Sequence, residues 1–528
     1  MTTVAPALPS ATAAAPTAVS NKWFIAVSVA LGALLEVVDT SIVNVALNDM
    51  QASLGATLSQ VSWVVSGYAV ANVVILPLTA WLGHRFGKKR YFIFSLIAFT
   101  LASILCGMAT TLPMLIVARV VQGLGGGGLL AKAQSILFET FPKHEQAMAQ
   151  GFFGAIVIAG PALGPTLGGY LVTNVGWRWI FFINIPFGIA AVLMCSAFLE
   201  EDDPAHRTKG GIDWTAIGLL ALGLGSLQTV LEEGQSEDWF SSGFIIAFAV
   251  AAVLGILFFV LRELDSKAPV VDLRVLRYRS LWAGSILSVV VGMALYGAMF
   301  SVPIFAQTIL GYTSEQTGML MLPGALASAF MMPIAAKLLG KFEARKLLVV
   351  GALILVFAMM QLHELSPQSS ESGLFIPLII RSFGTVLMFL PLNMATLGPI
   401  PKEDVSAASG FFNLTRQLGG SIGVAALTTL LERREAFHRT VLVEKISATD
   451  PGVLARVSGL TQSLAGKGFD AVTAHAKALR MMMSSVDLQA AVISFDDTFF
   501  ATCVLVLCTL PLVLLLGKSR PGKVEMGH

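Results

Sequence analysis

The sequence predicts an all-α polytopic membrane protein of fourteen transmembrane helices, built as two parallel six-helix bundles with two further helices inserted between them. Three observations carry this expectation. Of the 528 residues 55% are hydrophobic and only 12% are charged, where a soluble domain carries about 25% charged residues, and mean hydropathy is +0.78. Fourteen segments reach the roughly 20 apolar residues that a bilayer core demands. One half of the chain also repeats the residue spacing of the other.

Residues 1–22 are rich in Ala, Thr, Ser and Pro, with no charge before Lys22. They read as a flexible cytoplasmic tail, because a cleaved signal would begin with a basic region. Six spans follow at about 23–47, 60–82, 91–110, 113–137, 149–173 and 180–199, giving an N-terminal bundle over 23–200. Residues 201–280 hold two inserted spans, 213–231 and 243–262, with cytoplasmic linkers. The C-terminal bundle, 281–517, has spans at 281–305, 317–339, 346–364, 374–396, 405–431 and 498–516, with a long periplasmic segment at 432–497 and a cytoplasmic tail at 518–528.

An even number of spans puts both termini on one side. The loops on that side hold Arg85, Lys88, Lys89, Arg90, Lys341 and Arg345, among others, whereas the short loops opposite offer only Arg178 and, between the seventh and eighth spans, the acidic Glu232, Glu233, Glu237 and Asp238. The positive-inside rule therefore places both ends in the cytoplasm. Segment 432–497 carries eight Lys or Arg, but a loop that long translocates regardless of its charge. A net charge of +2 gives no reason to expect a nucleic-acid partner. Cys106, Cys195, Cys503 and Cys508 lie in apolar runs without metal or disulfide spacing and read as buried apolar residues.

The repeat is read from three matches in the same order. Gly151-Phe152-Phe153 is followed by Gly160 and Gly164, and Gly410-Phe411-Phe412 by Gly419 and Gly423 at identical offsets. Upstream stand Arg119 and Arg381, each followed by a Gly. Further upstream are Pro77-x-x-Ala80-x-Leu82 and Pro333-x-x-Ala336-x-Leu338. Parallel repeats suit a carrier, because one half can rock against the other around a site near the midplane.

Only Glu36 and Asp39 among the acids are expected inside the hydrocarbon zone. An intramembrane carboxylate is costly and is a functional candidate by default. Three residues apart on one helix, the two are expected to share a face and to titrate as a unit. Asp39 reads as the proton carrier; Glu36 either joins it or contacts a cationic substrate. The embedded cations are Arg119, Lys132, Arg381 and Arg416. Arg119 and Arg381 are placed to snorkel toward the outer face or to sense Asp39, Lys132 to reach the inner interface, and Arg416 to pair with helix carbonyls. Gly123 to Gly128 formally satisfy a dinucleotide pattern but follow an apolar helix instead of a strand, so they read as close-packing residues. No Walker lysine motif is present, so no ATP site is visible; the intramembrane acids make protons the expected coupling ion, and no cofactor is expected.

These residues resemble the major facilitator superfamily, specifically its fourteen-span drug:proton antiporters of the EmrB type. Val38-Asp39-Thr40-Ser41-Ile42-Val43-Asn44-Val45-Ala46-Leu47 is similar to that family's first-span signature, and Leu115 to Gly127, with Arg119, Gln122 and Gly123, to its fourth-span motif. Gly151, Gly160, Gly164, Pro165 and Gly168 match the antiporter motif, and Trp177 to Asn184 also fits. The loop Ala80-Trp81-Leu82-Gly83-His84-Arg85-Phe86-Gly87-Lys88-Lys89 keeps Arg85, Gly87 and Lys88 but has Ala80 for the first Gly and His84 for the usual Asp. The resemblance implies the major facilitator fold, proton transfer through Asp39 and Arg119, and a bacterial inner-membrane location; as embedded cations, Arg381 and Arg416 are candidates for coupling in the C-terminal half. It further implies that segment 432–497 contacts a periplasmic adaptor leading to an outer-membrane channel.

The function expected is export of amphipathic or lipophilic drugs in exchange for protons, with membrane lipid as the surrounding partner. The rival within transport is a dedicated exporter of one metabolite, such as a fatty acid or siderophore. A polytopic membrane enzyme is the remote rival, since it needs a catalytic constellation and the seven His are scattered over loops and tail.

Overall fold

The computed structural model describes residues 21–202, 211–266, 269–366, 371–446 and 450–517, so the expected tails lie outside them apart from Asn21 and Lys22. Among the described residues the chain is helical, without strands. Helix α1 (Lys22–Val45) runs through a kink at Ala46 into α2 (Leu47–Leu54), which stops at Gly55 with φ +62°. The second span opens on a Thr57–Gln60 capping box as α3 (Leu58–Ile75), is interrupted at Pro77, and resumes as α4 (Thr79–Phe86). Proline lacks the N–H that a continuous helix needs there. Gly87, at φ +100°, turns the chain into α5 (Lys88–Gly107). The fourth span breaks too: α6 (Leu112–Gly126) ends at the Gly127–Gly128 pair, and α7 (Leu129–Thr140) starts after Gly128 at φ +87°. Then come α8 (Lys143–Asn174), the short α9 (Trp179–Phe182) and α10 (Asn184–Phe198).

The inserted pair is α11 (Trp214–Glu233) and α12 (Gly243–Asp265), which meet where Gly223 and Gly255 let their backbones touch. At their ends Arg262 clasps Asp213 at 3.0 Å and, with the Ala216 N–H, holds the Asp213 carboxyl below its usual range. The last helices are α13 (Arg279–Thr308), α14 (Ser314–Leu339), α15 (Ala344–Leu362), α16 (Glu371–Leu397), α17 (Val405–Glu444), α18 (Pro451–Ala465) and α19 (Ala471–Leu512).

Thirteen helical segments among the described residues are long and apolar enough to cross a membrane. The expected span at 405–431 is absent from that set although α17 covers it, because its inward face carries Ser406, Ser409, Asn413, Arg416 and Ser421, all buried among other helices. Segment 432–497 proves not to be a loop. Helix α17 continues to Glu444 and α19 starts at Ala471, so 42 residues of α19 make about 63 Å at 1.5 Å per residue. A hydrocarbon core is about 30 Å thick. The outer turns of α17 and α19 therefore project beyond the bilayer, joined by Arg434–Asp497 at 2.5 Å and Arg439–Asp487 at 2.7 Å, with α18 laid against α19. Asp470 caps α19; hydrogen bonds from Thr473 and the Val472 N–H hold its carboxyl below the usual range.

The repeated spacing is a repeated packing. A Cβ at Gly160 would lie 2.6 Å from Val37 and one at Gly164 2.7 Å from Ser41 Cβ, so α8 seats on α1 through small residues. In the other half Gly419 meets Val289 and Gly423 meets Met293, the same four-residue step along α13. The contacts between halves match as well: Gly151 faces the carbonyl of Met332, just before Pro333, and Gly410 faces that of Leu76, just before Pro77. Of the cysteines, Cys106, Cys195 and Cys503 are buried, but Cys508 is exposed on α19, contrary to expectation, because its turn of the helix faces outward.

Candidate functional site

Glu36 and Asp39 are both buried, at 6% and 0% exposure. A three-residue step leaves them about 60° apart around the helix axis, enough to give them different neighbours. The two carboxylates have separate hydrogen-bond partners. Asp39 turns to α6 and α10: its Oδ2 accepts from Arg119 Nη1 at 2.5 Å, while Oδ1 accepts from Gln122 at 3.0 Å and Asn184 at 2.9 Å. Arg119 is 1% exposed and does not snorkel. Its Nη1 also donates to Gln122 at 2.7 Å, its Nε donates to the Val64 carbonyl at 2.9 Å, and it stacks 4.3 Å from the Tyr68 ring. Each charge is met by its opposite and by neutral bonds, as a buried ion pair requires.

Glu36 turns instead to α3 and the break between α6 and α7. Its carboxylate accepts from Asn72 Nδ2 at 2.8 Å and from the Leu130 N–H at 2.7 Å. The first turn of a helix has N–H groups without partners within the helix; the Gly127–Gly128 break creates such a turn inside the fourth span, and Glu36 accepts from its Leu130 N–H.

Between the halves lies a cavity of about 230 Å³. Glu36, Tyr68 and Arg119 border it from one half and Tyr296, Phe389 and Arg416 from the other. Arg119 thus touches both the cavity and Asp39. The inserted helix α11 supplies Glu232, whose Oε1 accepts from Gln228 at 2.7 Å and Ser421 at 3.3 Å. Its neighbour Glu233 is 3% exposed and accepts from Ser66 at 2.5 Å, fastening α11 to α3. The sequence reading placed both in an outer loop. The missed signal is that Gln228 and Thr229 continue into Glu232 and Glu233 at helical spacing, marking a polar inner face.

At the end of the bundle bearing the 83–90 loop the halves are latched. Gln134 on α7 donates to Asn393 at 2.6 Å and accepts from Ser409 at 3.1 Å and Asn413 at 2.7 Å; Lys402 donates to the Glu139 carbonyl at 2.6 Å. Lys132, expected at the interface, is instead 1% exposed and donates to Ser406 at 3.3 Å across the seam, because the Gly128 break turns α7 inward. Of the loop motif, Lys88 pairs with Glu139 at 2.5 Å, and Asp202 occupies the space beside Gly87 while accepting from the Lys89 and Arg90 N–H groups. Arg85 lies at the end of α4, next to His84. Gln134→Ala removes three bonds worth about 0.5–1.5 kcal/mol each. It should speed maleimide labelling of Ser406→Cys, in a background without native cysteines, several-fold; an unchanged rate would show that Gln134 does not latch this end.

Gly160, Gly164 and Gly168 all face α1, with Pro165 inside α8 among them, so this motif seats the acid-bearing helix. Arg381 is buried in α16 at 7% exposure and does not border the cavity. Arg416, expected to pair with carbonyls, borders the cavity, donates to Asn413 Oδ1 and lies 5.2 Å from the Phe389 ring.

Two similarly packed halves around a cavity between them, set in a shell of apolar helices, define a polytopic membrane carrier. Residues 29–424 match the family described as Major Facilitator Superfamily. The chain is 35% identical over 445 residues to the multidrug export protein EmrB of Escherichia coli K12, covering 83% of this chain and 87% of that protein. It is 31% identical over 492 residues to the fatty acid resistance protein FarB of Neisseria gonorrhoeae, covering 93% and 95%. The solved proton:xylose symporter XylE shares the fold at a TM-score of 0.58 and 12% identity, over 94% of this chain and 97% of that one. The chain belongs to the Major Facilitator Superfamily and stands within it among the EmrB-type permeases, as a multi-pass transporter of the bacterial inner membrane.

Proposed function

We propose that the protein exports amphipathic or lipophilic small molecules in exchange for protons, with the latched face and both termini in the cytoplasm. The observation that carries this reading is the Asp39–Arg119 pair, sealed from water while Arg119 also borders the cavity. Protonation of Asp39 cancels the charge that holds Arg119 and leaves a buried guanidinium seeking a new acceptor. Movement of α6 against α1 then follows, and proton and cargo each favour a different arrangement of the halves. Glu36, joined to the α7 break, transmits such movement toward the latch. Likeness to EmrB, named as a multidrug export protein, supports the cargo class. The test is dye uptake into inverted vesicles energised by an acid interior without ATP; uptake that persists after an uncoupler collapses the gradient would sink proton coupling.

A second reading, export of one dedicated metabolite such as a fatty acid or siderophore, is supported by likeness to FarB. One accepted compound amid refusal of structurally diverse dyes would favour it.

The projecting helices support a further element, docking of a periplasmic adaptor that leads to an outer-membrane channel. They expose Phe437, Leu454, Val472 and Met481, at 53%, 54%, 80% and 51%, and water-exposed apolar surface of this kind marks interaction sites. Changing Leu454, Val472 and Met481 together to Ser should abolish co-purification of the adaptor and leave vesicle transport intact. Co-purification that survives the triple change would remove this surface from the docking site.

A further inference from the structure

Arg416 stands out among the buried cations. It is 6% exposed, borders the cavity, and its Nη1 has no hydrogen-bond partner. Among the described residues no carboxylate forms an ion pair with it. Arg119, by contrast, is matched by Asp39. The two carboxylates that border the same cavity are engaged by neutral donors: Glu36 by Asn72 and the Leu130 N–H, Glu232 by Gln228 and Ser421. Tyr296 lies within hydrogen-bonding reach of Arg416, and Glu36 acts on it electrostatically across the cavity, but a neutral phenol cannot cancel its charge and Glu36 makes no ion pair with it.

A buried donor without an acceptor is costly, and a buried charge more so. A guanidinium is also the side chain best shaped to take a planar carboxylate, through two parallel N–H bonds. Phe389, Tyr296, Val157 and Ile158 border the cavity and offer faces to an apolar or aromatic body.

We infer that Arg416 forms a subsite for the anionic group of the cargo, so that the cavity prefers organic anions, carboxylates above all, to neutral or cationic molecules of the same shape. This inference rests on reading the cavity as the cargo site. The bound anion accepts from Nη1, supplies a countercharge in direct contact, and leaves the Asn413 bond in place.

The test uses the full chain in nanodiscs of zwitterionic lipid, with calorimetric titration of three matched probes: naphthoate, its methyl ester and naphthylmethylammonium. Wild type should bind naphthoate most tightly. Arg416→Gln should weaken naphthoate by roughly tenfold to a hundredfold, the range of a charge-assisted bond, with the ester unchanged, and Arg416→Lys should keep part of the preference. Equal binding of acid and ester by wild type overturns the inference, as does a parallel loss of both in Arg416→Gln. Loss of the acid's advantage when phosphatidylglycerol is added to the nanodiscs also overturns it, since the site then belongs to a lipid headgroup. Because no gradient is present, a naphthoate preference without gradient-driven export would sink proton coupling alone, and export without the preference would sink this subsite alone.

Discussion

Asp39→Asn should abolish gradient-driven export, by roughly a hundredfold or more, about 2.7 kcal/mol of lost coupling at 1.36 kcal/mol per tenfold. Asparagine fills the same volume, and its oxygen can still accept from Gln122 and Asn184. Its amide, however, would point two donors at Arg119 Nη1 where the carboxylate oxygen had accepted. Removing one partner of a buried pair costs about 3–5 kcal/mol of stability because the other charge is stranded, so a lone substitution confounds folding with coupling. The double variant Asp39→Asn/Arg119→Gln separates them. Without a stranded charge it should recover much of the thermal stability lost in Asp39→Asn, yet it should remain unable to use a proton gradient, while exchanging dye down a dye gradient. Restored gradient-driven export in the double variant would move proton coupling elsewhere, with Glu36 the next carboxylate to test.

The second large effect is steric. Gly164→Val should eliminate transport and lower the melting temperature, because even a Cβ at this position would lie 2.7 Å from Ser41 Cβ and 2.9 Å from the backbone nitrogen of Ile42. The α1 backbone cannot yield without moving Asp39, two residues from Ser41. Overpacking costs about 1–3 kcal/mol, and here that strain falls on the helix that holds the carboxylate. The neighbours supply the control. Alanine at Gly160 or Gly168 would meet side-chain carbons at 2.6 and 2.8 Å and should impair transport less, whereas alanine at Gly151, 3.4 Å from the Met332 carbonyl, should be close to neutral. An equal effect at Gly151 and Gly164 would mean that α1 seating is not what this motif provides.

Much of this was legible in the sequence because hydropathy and spacing are local properties. Thirteen of the fourteen expected spans and the repeat follow from apolar length and glycine offsets, whereas the span at 405–431 is less apolar because its buried face is polar. Arg119 and Arg381 both read as cations able to sense Asp39, and Arg119 forms an ion pair with it. What stayed hidden depends on which neighbour a polar side chain faces. Glu36 and Asp39 look like a pair along one helix, yet the Gly127–Gly128 break draws one of them away. Glu232 and Glu233 look like loop residues because charges usually end spans, and only the packing of α11 against α3 and α17 turns them inward. The extension of α17 and α19 was hidden by their water-facing charges, which resemble those of a loop until the helices are seen to run on.

The glycine register along α1 and α13 also fixes how the two halves differ. Counting from Val37 and Val289, which meet Gly160 and Gly419, the position matching Asp39 is Val291, and that matching Glu36 is Ser288. The bearings on which the halves turn are duplicated, but the acid is not. Equivalent packing gives neither half a steric reason to move first, so under the proposed proton coupling the direction of work is set by the half that carries Asp39. On that proposal, a change of cargo in the C-terminal half, where Arg416, Tyr296 and Phe389 border the cavity, leaves the proton-coupling residues untouched.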